Sequence, residues 1–557
     1  MSISSSDLVF VPLGGSGEIG MNANLYHHHD RWLMVDLGIS FADESMPGVD
    51  VVLPDLTFIE ERKDKLEGLI LTHAHEDHYG AIPYLWERLQ VPVYGTAFTL
   101  ALLRRKLAES RVDFDIEMHE IDFNTSYDFG PFSVELLALN HSIPDPAALI
   151  LRTSEGVILH TGDWKFDDAP QIGSNTDAKR LGAIGDEGVL ALIGDSTNAM
   201  VEGRTPSEQT AHEGLTAEIA KAEGRVAITC FASNVARVDS IIRAAHANGR
   251  SVAIVGRALQ RTIDAAREVG YLRDAPDFVK ESDVGLIPRE NIVIICTGSQ
   301  GETRAAMARI ASASHDTIDL DPGDTVIYSS RQIPGNEPAI SKIQDMLLRR
   351  GILVVTDDDA PVHVSGHPAR DEMAEMYGLV RPKIAVPVHG TARHLLAHAE
   401  LARSCQVGQT VIPDNGIIIA FKDGKAQEIG HVQTGALTHE GGEIVDIQSE
   451  QLRARRRMLW NGSVSVSVVI SGKNELLIAP SIAQSGLIDD ERIDDFIATA
   501  ALRIEDKIAD MPRKSASDDA IRQVVTAQVR SVAKSMVKRR PNVEVHIMRA
   551  SQAELLS

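Results

Sequence analysis

The sequence predicts an α/β protein in which one domain is interrupted by a second, parallel α/β domain and followed by a small α+β module. Three observations carry this. Apolar, strand-like runs end repeatedly in histidine or aspartate, first between positions 73 and 195 and again between 363 and 389. Between those blocks, continuous apolar runs alternate with helical stretches, the mark of a parallel sheet covered on both faces. In the last hundred or so residues, period-2 and helical stripes occur together. At 557 residues the chain is also too long for a single core.

In chain order, residues 8–37 read as strands around a glycine-rich turn at 14–20. That turn is not a dinucleotide-binding loop, because no helical pattern follows and Asn24-Leu25-Tyr26 reads as another strand. His27-His28-His29-Asp30 reads as a solvated hairpin turn. Asp36 ends an apolar strand, where it can orient a metal ligand from behind. Gly68-Leu69-Ile70-Leu71 reads as a buried strand leading into Thr72-His73-Ala74-His75-Glu76-Asp77-His78. His73 and His75 are two apart at a strand's end and so point to one side, while Asp77 and His78 come off the turn that follows. Three imidazoles and a carboxylate, without thiolates, suit zinc or manganese. Further runs end in Asn140-His141, Thr161-Gly162-Asp163 and Gly194-Asp195-Ser196, each a strand tip with a candidate ligand or proton-transfer residue.

From about Pro206 the texture changes. Apolar runs at 226–231, 252–256, 292–296 and 326–328 alternate with helical stretches, one passing through Arg237 and Ile241. The histidine-tipped pattern then resumes in Val362-His363-Val364-Ser365-Gly366-His367 and in Ala385-Val386-Pro387-Val388-His389-Gly390. The expected divisions are 1–205 and 356–425 for the interrupted domain, 206–355 for the insertion, 426–455 for a linker and 456–557 for the last module. In that module Val464, Val466 and Val468 alternate with serines. Two helical stripes follow, from Ile493 and from Ile521, and Val543, Val545 and Ile547 read as a closing strand.

Composition sets outer bounds. With 43% hydrophobic and 24% charged residues the chain reads as globular, and no apolar run is long enough to span a bilayer. The first residues lack the basic and apolar segments of a signal peptide, so the expected compartment is the cytoplasm. Cys230, Cys296 and Cys405 are too few and too scattered for a disulfide framework or a thiolate zinc site. A net charge of −24 taken alone argues against nucleic acid, but a polyanion is held by local cations and bound metals, which a sum does not reveal.

His73, His75, Asp77, His78, His141, Asp163 and His389 together resemble the metallo-β-lactamase hydrolase superfamily. Asp195, His367 and His389, with the insertion between them, resemble its β-CASP nuclease branch. The strings Gly162-Asp163-Trp164-Lys165, Asp195-Ser196-Thr197-Asn198, Thr297-Gly298-Ser299-Gln300-Gly301 and His363-Val364-Ser365-Gly366-His367 are similar to the bacterial ribonuclease J family, and the likeness runs the length of the chain. It implies an αββα sandwich interrupted by a β-CASP domain. It also implies two divalent metal ions per subunit, Zn2+ with Mn2+ or Mg2+ as alternatives. One would take His73, His75 and His141, the other Asp77, His78 and His389, with Asp163 bridging. Two such ions about 3.5–4 Å apart can clamp the attacking and leaving oxygens of an in-line displacement.

The same resemblance implies hydrolysis of single-stranded RNA in maturation and decay, from the 5′ end and with endonuclease activity besides. His367 and Asp195 would relay the leaving-group proton, in an order the residues leave open. His363, Val364, Ser365, Gly366 and His367 would form a pocket for a 5′ monophosphate. Ser233 and Asn234 either line it or cap the helix that follows. A homodimer or homotetramer through the C-terminal module is implied, with RNA-decay proteins as partners and no membrane. Arg453, Arg455, Arg456 and Arg457, with Lys538, Arg539 and Arg540, read as solvated surface or as an RNA contact. Other readings are a hydrolase of a small ester or thioester, a mainly endonucleolytic or DNA-acting β-CASP nuclease, and a non-catalytic RNA-binding scaffold.

Overall fold

Continuous apolar runs become the strands of two facing sheets in the computed structural model, which describes residues 3–4, 7–43, 45–511 and 517–550. Its contacts form two units, residues 1–41 with 51–439 and residues 42–50 with 440–557. In the first unit, an eight-stranded sheet runs in the order Lys425–His431, Ile417–Lys422, Leu8–Gly14, Ala23–His28, Arg31–Val35, Leu66–Ile70, Val93–Gly95, Met118–Glu120. A seven-stranded sheet runs Ser126–Phe129, Phe132–Ala138, Ala147–Thr153, Gly156–His160, Val189–Asp195, Ile384–Val388, Gln409–Thr410. Phe10, Tyr26, Leu33 and Ile70 of the first sheet share one buried core with Phe132, Leu149, Ile158, Ile193 and Val386 of the second. The opposite face of the second sheet is covered by helices Ala178–Glu187, Arg370–Val380 and Ala392–Ser404, through Leu181, Met376, Tyr377 and Leu401. Helix Ala97–Ser110 lies against the edge strands of the first sheet. The result is an αββα sandwich.

Register decides where the site forms. Gly156–His160 pairs in parallel with Val189–Asp195, and that strand with Ile384–Val388, so that Asp195 lies beside Val388. Residues 161–163 and His389 therefore leave the second sheet at one edge. Arg31–Val35 pairs in parallel with Leu66–Ile70, Val35 beside Ile70, so Asp36 and residues 72–78 leave the first sheet together.

The insertion, also in this unit, is a five-stranded sheet in the order Ser251–Val255, Ile292–Cys296, Val226–Thr229, Thr325–Tyr328, Leu353–Val355, with every pairing parallel. Helices pack on it around Ile294, Met307, Val326 and Leu347. The triple histidine departs from expectation. His27 and His28 belong to the strand Ala23–His28 and are buried, and only His29 and Asp30 make the turn, both at positive φ. His27 packs on Trp32 and its Nδ1 reaches Asp7 O, while His28 Nε2 reaches Ser154 Oγ at 2.8 Å. Burial with a hydrogen-bond partner for each ring won over solvation.

In the second unit, Ser463–Ile470 lies between Ser481–Ser485, antiparallel, and Asn542–Arg549, parallel. Val464, Val466 and Val468 face Phe496, Ala500, Ile504, Val525 and Val529 of helices Ile493–Ala509 and Asp518–Val537. All three cysteines are free. Among the described residues, no helix is long and apolar enough to cross a membrane.

Candidate metal centre and active site

The first donors sit at the tip of the strand Leu66–Ile70. His75 is still extended, and the one-turn helix Glu76–Tyr79 starts directly after it, aiming Asp77 and His78 back over the tip. The turn is held from below. Leu37 N–H donates to His78 O at 2.7 Å, Ile39 N–H to Glu76 O at 3.0 Å, and Asn22 N–H to Asp77 O at 2.9 Å. Gly38 permits this approach, since a Cβ there would stand 1.7 Å from Asp77 O.

Asp36, fully buried at φ +64°, accepts Thr72 N–H on Oδ1 and both Thr72 Oγ1–H and His78 Nδ1–H on Oδ2, each at 2.8 Å. With its Nδ1 as donor, His78 turns the lone pair of Nε2 into the site. His141 is oriented the same way, its Nδ1–H donating to Gly366 O at 2.6 Å. A Cβ at Gly366 would meet His141 Nδ1 at 2.7 Å and Ser142 Oγ at 2.8 Å.

Two donor groups result. His75 Nδ1 lies 3.1 Å from His73 Nε2 and 3.0 Å from His141 Nε2. On the other side, Asp77 Oδ2 lies 3.1 Å from His389 Nε2 and 3.7 Å from His78 Nε2. Asp163 belongs to both: its Oδ2 is 3.2 Å from His78 Nε2 and 3.8 Å from His73 Nε2 and His141 Nε2. Within each group the donor atoms all fall within 4.8 Å of one another, as do those of a third, overlapping set, Asp163, Asp195, His367 and His389. His389 follows the strand Ile384–Val388 at φ +52°, a strained setting for a side chain other than glycine, and its N–H donates to Gly15 O.

The residues fit two divalent cations. Burial, and then the neighbouring imidazoles, push His73 and His141 well below the ordinary imidazole range, and burial drives His75 down to about 4. Such rings are neutral; a hydrogen on His75 Nδ1 could serve only one of its two nitrogen neighbours, whereas a cation among the three would engage every lone pair. Burial raises Asp77 and Asp163, but His78 and His389 outweigh it and hold both below the usual carboxylate range. The carboxylates in turn lift His78 and His389 well above the ordinary imidazole range despite burial, and a bound cation would displace the proton from each Nε2. Asp163 Oδ1 is buried and lies 3.1 Å from His389 Nδ1, short of hydrogen-bond geometry. The donors are nitrogen and oxygen only, the choice of zinc or manganese.

Beside these groups stands a second pair. Asp195 Oδ1 accepts Thr197 N–H and Oγ1–H, and its Oδ2 accepts His367 Nδ1–H at 2.8 Å. Burial works against both charges. Nevertheless His367 keeps the Asp195 carboxyl low, and Asp195 lifts His367 above the ordinary imidazole range. The His367 ring centre is 4.9 Å from that of His141 and 5.8 Å from that of His389, next to both donor groups.

Residues 363–367 form a tight loop. Ser365 Oγ accepts Asn198 Nδ2–H and His367 N–H, and His367 O accepts Asn198 Nδ2–H and Thr205 Oγ1–H. Val364 is buried, and His363 Nδ1 lies 3.2 Å from Arg237 Nη1. Asn234 Oδ1 accepts Arg237 N–H at 2.9 Å and caps the helix Val235–Ala247, with Ser233 half-buried just ahead of it.

Sequence reasoning passed over several supports: Thr72, Thr197, Asn198, Arg237 and Glu372. The fully buried Glu372 carboxylate accepts Phe166 N–H at 3.0 Å, Thr205 N–H at 2.7 Å and Ala369 N–H at 2.9 Å, joining the segments that follow Asp163, Asp195 and His367. Glu372 sits three residues after Ala369 at a helix start and accepts the N-cap N–H, but without a Ser or Thr at 369 the sequence carries only half of a capping box.

Residues 17–178 match the Metallo-beta-lactamase superfamily and residues 360–413 the Zn-dependent metallo-hydrolase RNA specificity domain. Residues 223–347 match the Ribonuclease J, beta-CASP domain, and residues 450–550 the Ribonuclease J C-terminal domain. Fold and donor groups together define a metallo-β-lactamase-type hydrolase carrying a β-CASP insertion. Ribonuclease J of Sinorhizobium meliloti is 44% identical over 550 residues, 97% of each chain. That of Mycolicibacterium smegmatis is 43% identical over 82% of each chain, and Ribonuclease J 1 of Streptococcus pyogenes 35% identical over 88% of each. The chain belongs to the ribonuclease J family. A crystal structure of a protein of unknown function from Enterococcus faecalis V583 shares the fold, with TM-score 0.53 and 18% identity over 74% of this chain and 100% of that one.

Proposed function

We propose that this chain is a metal-dependent ribonuclease that removes nucleotides from the 5′ end of single-stranded RNA, prefers a 5′ monophosphate and also cuts internally, in RNA maturation and decay. The observation that carries the proposal is the meeting of two nitrogen–oxygen donor groups on Asp163, directly beside the His367–Asp195 pair. The names of the relatives and the matched RNA specificity domain support RNA as the substrate.

In the reaction, water attacks phosphorus in line and the bond from phosphorus to the 3′ oxygen breaks. The downstream fragment keeps a 5′ phosphate, and the departing nucleotide leaves with a 3′ hydroxyl. Divalent cations held by His73, His75 and His141, and by Asp77, His78 and His389, with Asp163 shared, would supply Lewis-acid charge and acidify water. His367 gives the departing oxygen its proton from Nε2. Asp195 holds the opposite Nδ1–H and stabilises the protonated ring; its own oxygens are occupied, which makes it the poorer donor. Residues 363–367 receive the 5′ phosphate through small side chains and backbone N–H groups. A homodimer or homotetramer through the C-terminal module belongs to this proposal.

One RNA prepared with 5′-monophosphate, 5′-triphosphate and 5′-hydroxyl ends tests it, with EDTA controls. The expected result is release of mononucleotides, fastest from the monophosphate and abolished by EDTA. Internal cuts alone, indifferent to the 5′ group, would overturn the 5′-end reading. Activity that survives full metal removal would overturn the metal reading.

A further inference from the structure

We propose that the edge of the insertion where its strands end, carrying Arg257, Arg304 and Arg331, binds the phosphates of RNA on the 5′ side of an internal cut. This rests on the reading of residues 363–367 as the 5′-end subsite and of internal cutting as a second mode of the same metal centre. End-wise removal leaves no strand beyond that loop, whereas an internal cut leaves one that must be accommodated.

The sheet topology points to this edge. From the central strand Val226–Thr229 the chain runs to Ser251–Val255 at one side, returns to Ile292–Cys296, then crosses to Thr325–Tyr328 and Leu353–Val355 on the other side. In an open parallel sheet, the crevice at the strand ends where the order reverses is the usual place for a ligand. Arg257 follows Ser251–Val255, Arg304 lies in the loop after Ile292–Cys296, and Arg331 in the loop after Thr325–Tyr328. All three are exposed, and among the described residues none of their side chains forms an ion pair or a hydrogen bond. In a chain with 79 acidic and 55 basic residues, three unpaired guanidinium groups on one edge are a local exception. Glu302, on the loop of Arg304, has Oε2 engaged with Gln300 N–H at 3.0 Å.

The string Thr297-Gly298-Ser299-Gln300-Gly301 holds these loops together. Thr297 N–H donates to Val255 O at 3.2 Å, and a Cβ at Gly256 would stand 2.7 Å from the Thr297 side chain, so the start of the helix Arg257–Glu268 is seated on the string. The buried Gln300 reaches the Arg331 loop three times. Its Nε2–H donates to Arg331 O at 2.8 Å, and its Oε1 accepts Ile333 N–H at 2.9 Å and Asn336 Nδ2–H at 3.3 Å. That loop also touches the 5′-end subsite: Ser329 Oγ–H donates to Val362 O at 2.7 Å, and Ser329 O accepts the His363 ring N–H. Arg331 is two residues further on, its Cα within about 7 Å of that of Ser329. Burial, and then the charges of Arg237 and Arg331, push His363 well below the ordinary imidazole range, so the free cation acts on the subsite loop itself. Arg257 and Arg331 leave strands three places apart in the sheet, a distance of about 14 Å. Cations so spaced meet separate phosphates of one strand, through charge alone and without reading bases.

The test uses the full, metal-loaded chain and two RNAs. A circular single strand offers internal cuts only, and a short linear RNA with a 5′ monophosphate has no strand upstream of its first cut. In the triple variant Arg257→Gln/Arg304→Gln/Arg331→Gln, kcat/KM on the circle should fall about tenfold or more relative to that on the linear RNA, chiefly through a higher KM. Three phosphate contacts on a single strand correspond to a log–log salt slope of about 2, so raising salt from about 50 to 200 mM should weaken circle cutting about tenfold more in the parent than in the variant. Arg257→Lys/Arg304→Lys/Arg331→Lys should keep most of the circle cutting, because such a contact needs the charge rather than the fork. Circular dichroism and metal content check the fold of both variants. A glutamine variant with the parental ratio would overturn the proposal, as would an equal loss on circle and linear RNA, or a lysine variant as impaired as the glutamine one. A parent that degrades the linear RNA but leaves the circle intact would remove the internal-cutting reading itself, and the proposal with it.

Discussion

Replacing Asp36 by asparagine should weaken one cation and leave the other in place. The substituted amide has no choice of orientation. Thr72 N–H can only donate, and Asp36 Oδ1 accepts it at 2.8 Å, so the asparagine oxygen must take that position. Its NH2 then stands where Oδ2 was, 2.8 Å from both Thr72 Oγ1 and His78 Nδ1. The threonine hydroxyl can rotate and accept. His78 must give up its proton at Nδ1, carry it on Nε2, and so lose the lone pair it turns toward Asp77 and Asp163. Loss of such an orienting partner typically costs about 10–100-fold in metal affinity, about 1.4–2.7 kcal/mol. His141 keeps its carbonyl partner, and His73 Nδ1–H can still donate to Thr72 Oγ1 at 3.0 Å because the rotated hydroxyl has a second lone pair, so the first cation should bind as before. Dialysis against a buffered zinc series, read by elemental analysis, should show two sites in the parent and one strong plus one weakened site in Asp36→Asn. RNA cleavage should fall at limiting zinc and recover in excess. Two sites of parental affinity would refute the tautomer argument.

Three further outcomes are expected. His367→Ala should keep both cations but lose about 10²–10⁴-fold in kcat on RNA, the scale of a positioned proton donor; a loss of bound metal would make His367 a ligand instead. Gly366→Ala forces a Cβ to 2.7 Å from His141 Nδ1, so the loop must move and His141 loses its carbonyl partner. Metal content should then drop at the site of His73, His75 and His141, by about tenfold in affinity. Glu372→Gln turns one amide N–H against a buried backbone N–H and should lower stability by about 1–3 kcal/mol, visible as a lower urea midpoint. An unchanged midpoint would show that the carboxylate does not hold the three segments together.

The two donor groups were legible because their chemistry is dense and local: four donors within residues 73–78, and single donors at the ends of runs that could only be strands. The insertion was legible because its strands, such as Ile292–Cys296, are apolar on both faces. The histidines at 27 and 28 misled for a physical reason. Whether a polar ring is solvated or buried depends on Asp7, Trp32 and Ser154, and the one at 154 lies far along the chain. Arg237 and Glu372 escaped for the same reason. A buried charge is recognisable only by its partners, and those of Arg237 lie at 208, 329, 362 and 363. Asn234 was read as either pocket or cap, and its side-chain oxygen is committed to the cap.

The five residues from His363 to His367 are supported from two different scaffolds. The first end is gripped by the insertion, through Arg237 and Ser329 on Val362 and His363. The second end is gripped by the sandwich: Asn198 on Ser365 and His367, His141 on Gly366, and Asp195 on the His367 ring. Under the proposed function, a phosphate bound along this loop and a proton delivered from its second end would be separated by a short, nearly inextensible length of chain. A hydrogen bond lost on the insertion side loosens the first end of the loop while the metal donors stay put. One lost on the sandwich side disturbs His141 and His367 together. In the proposed reaction, binding and chemistry would be mechanically distinct yet spaced by one loop, which suits the removal of one nucleotide at a time.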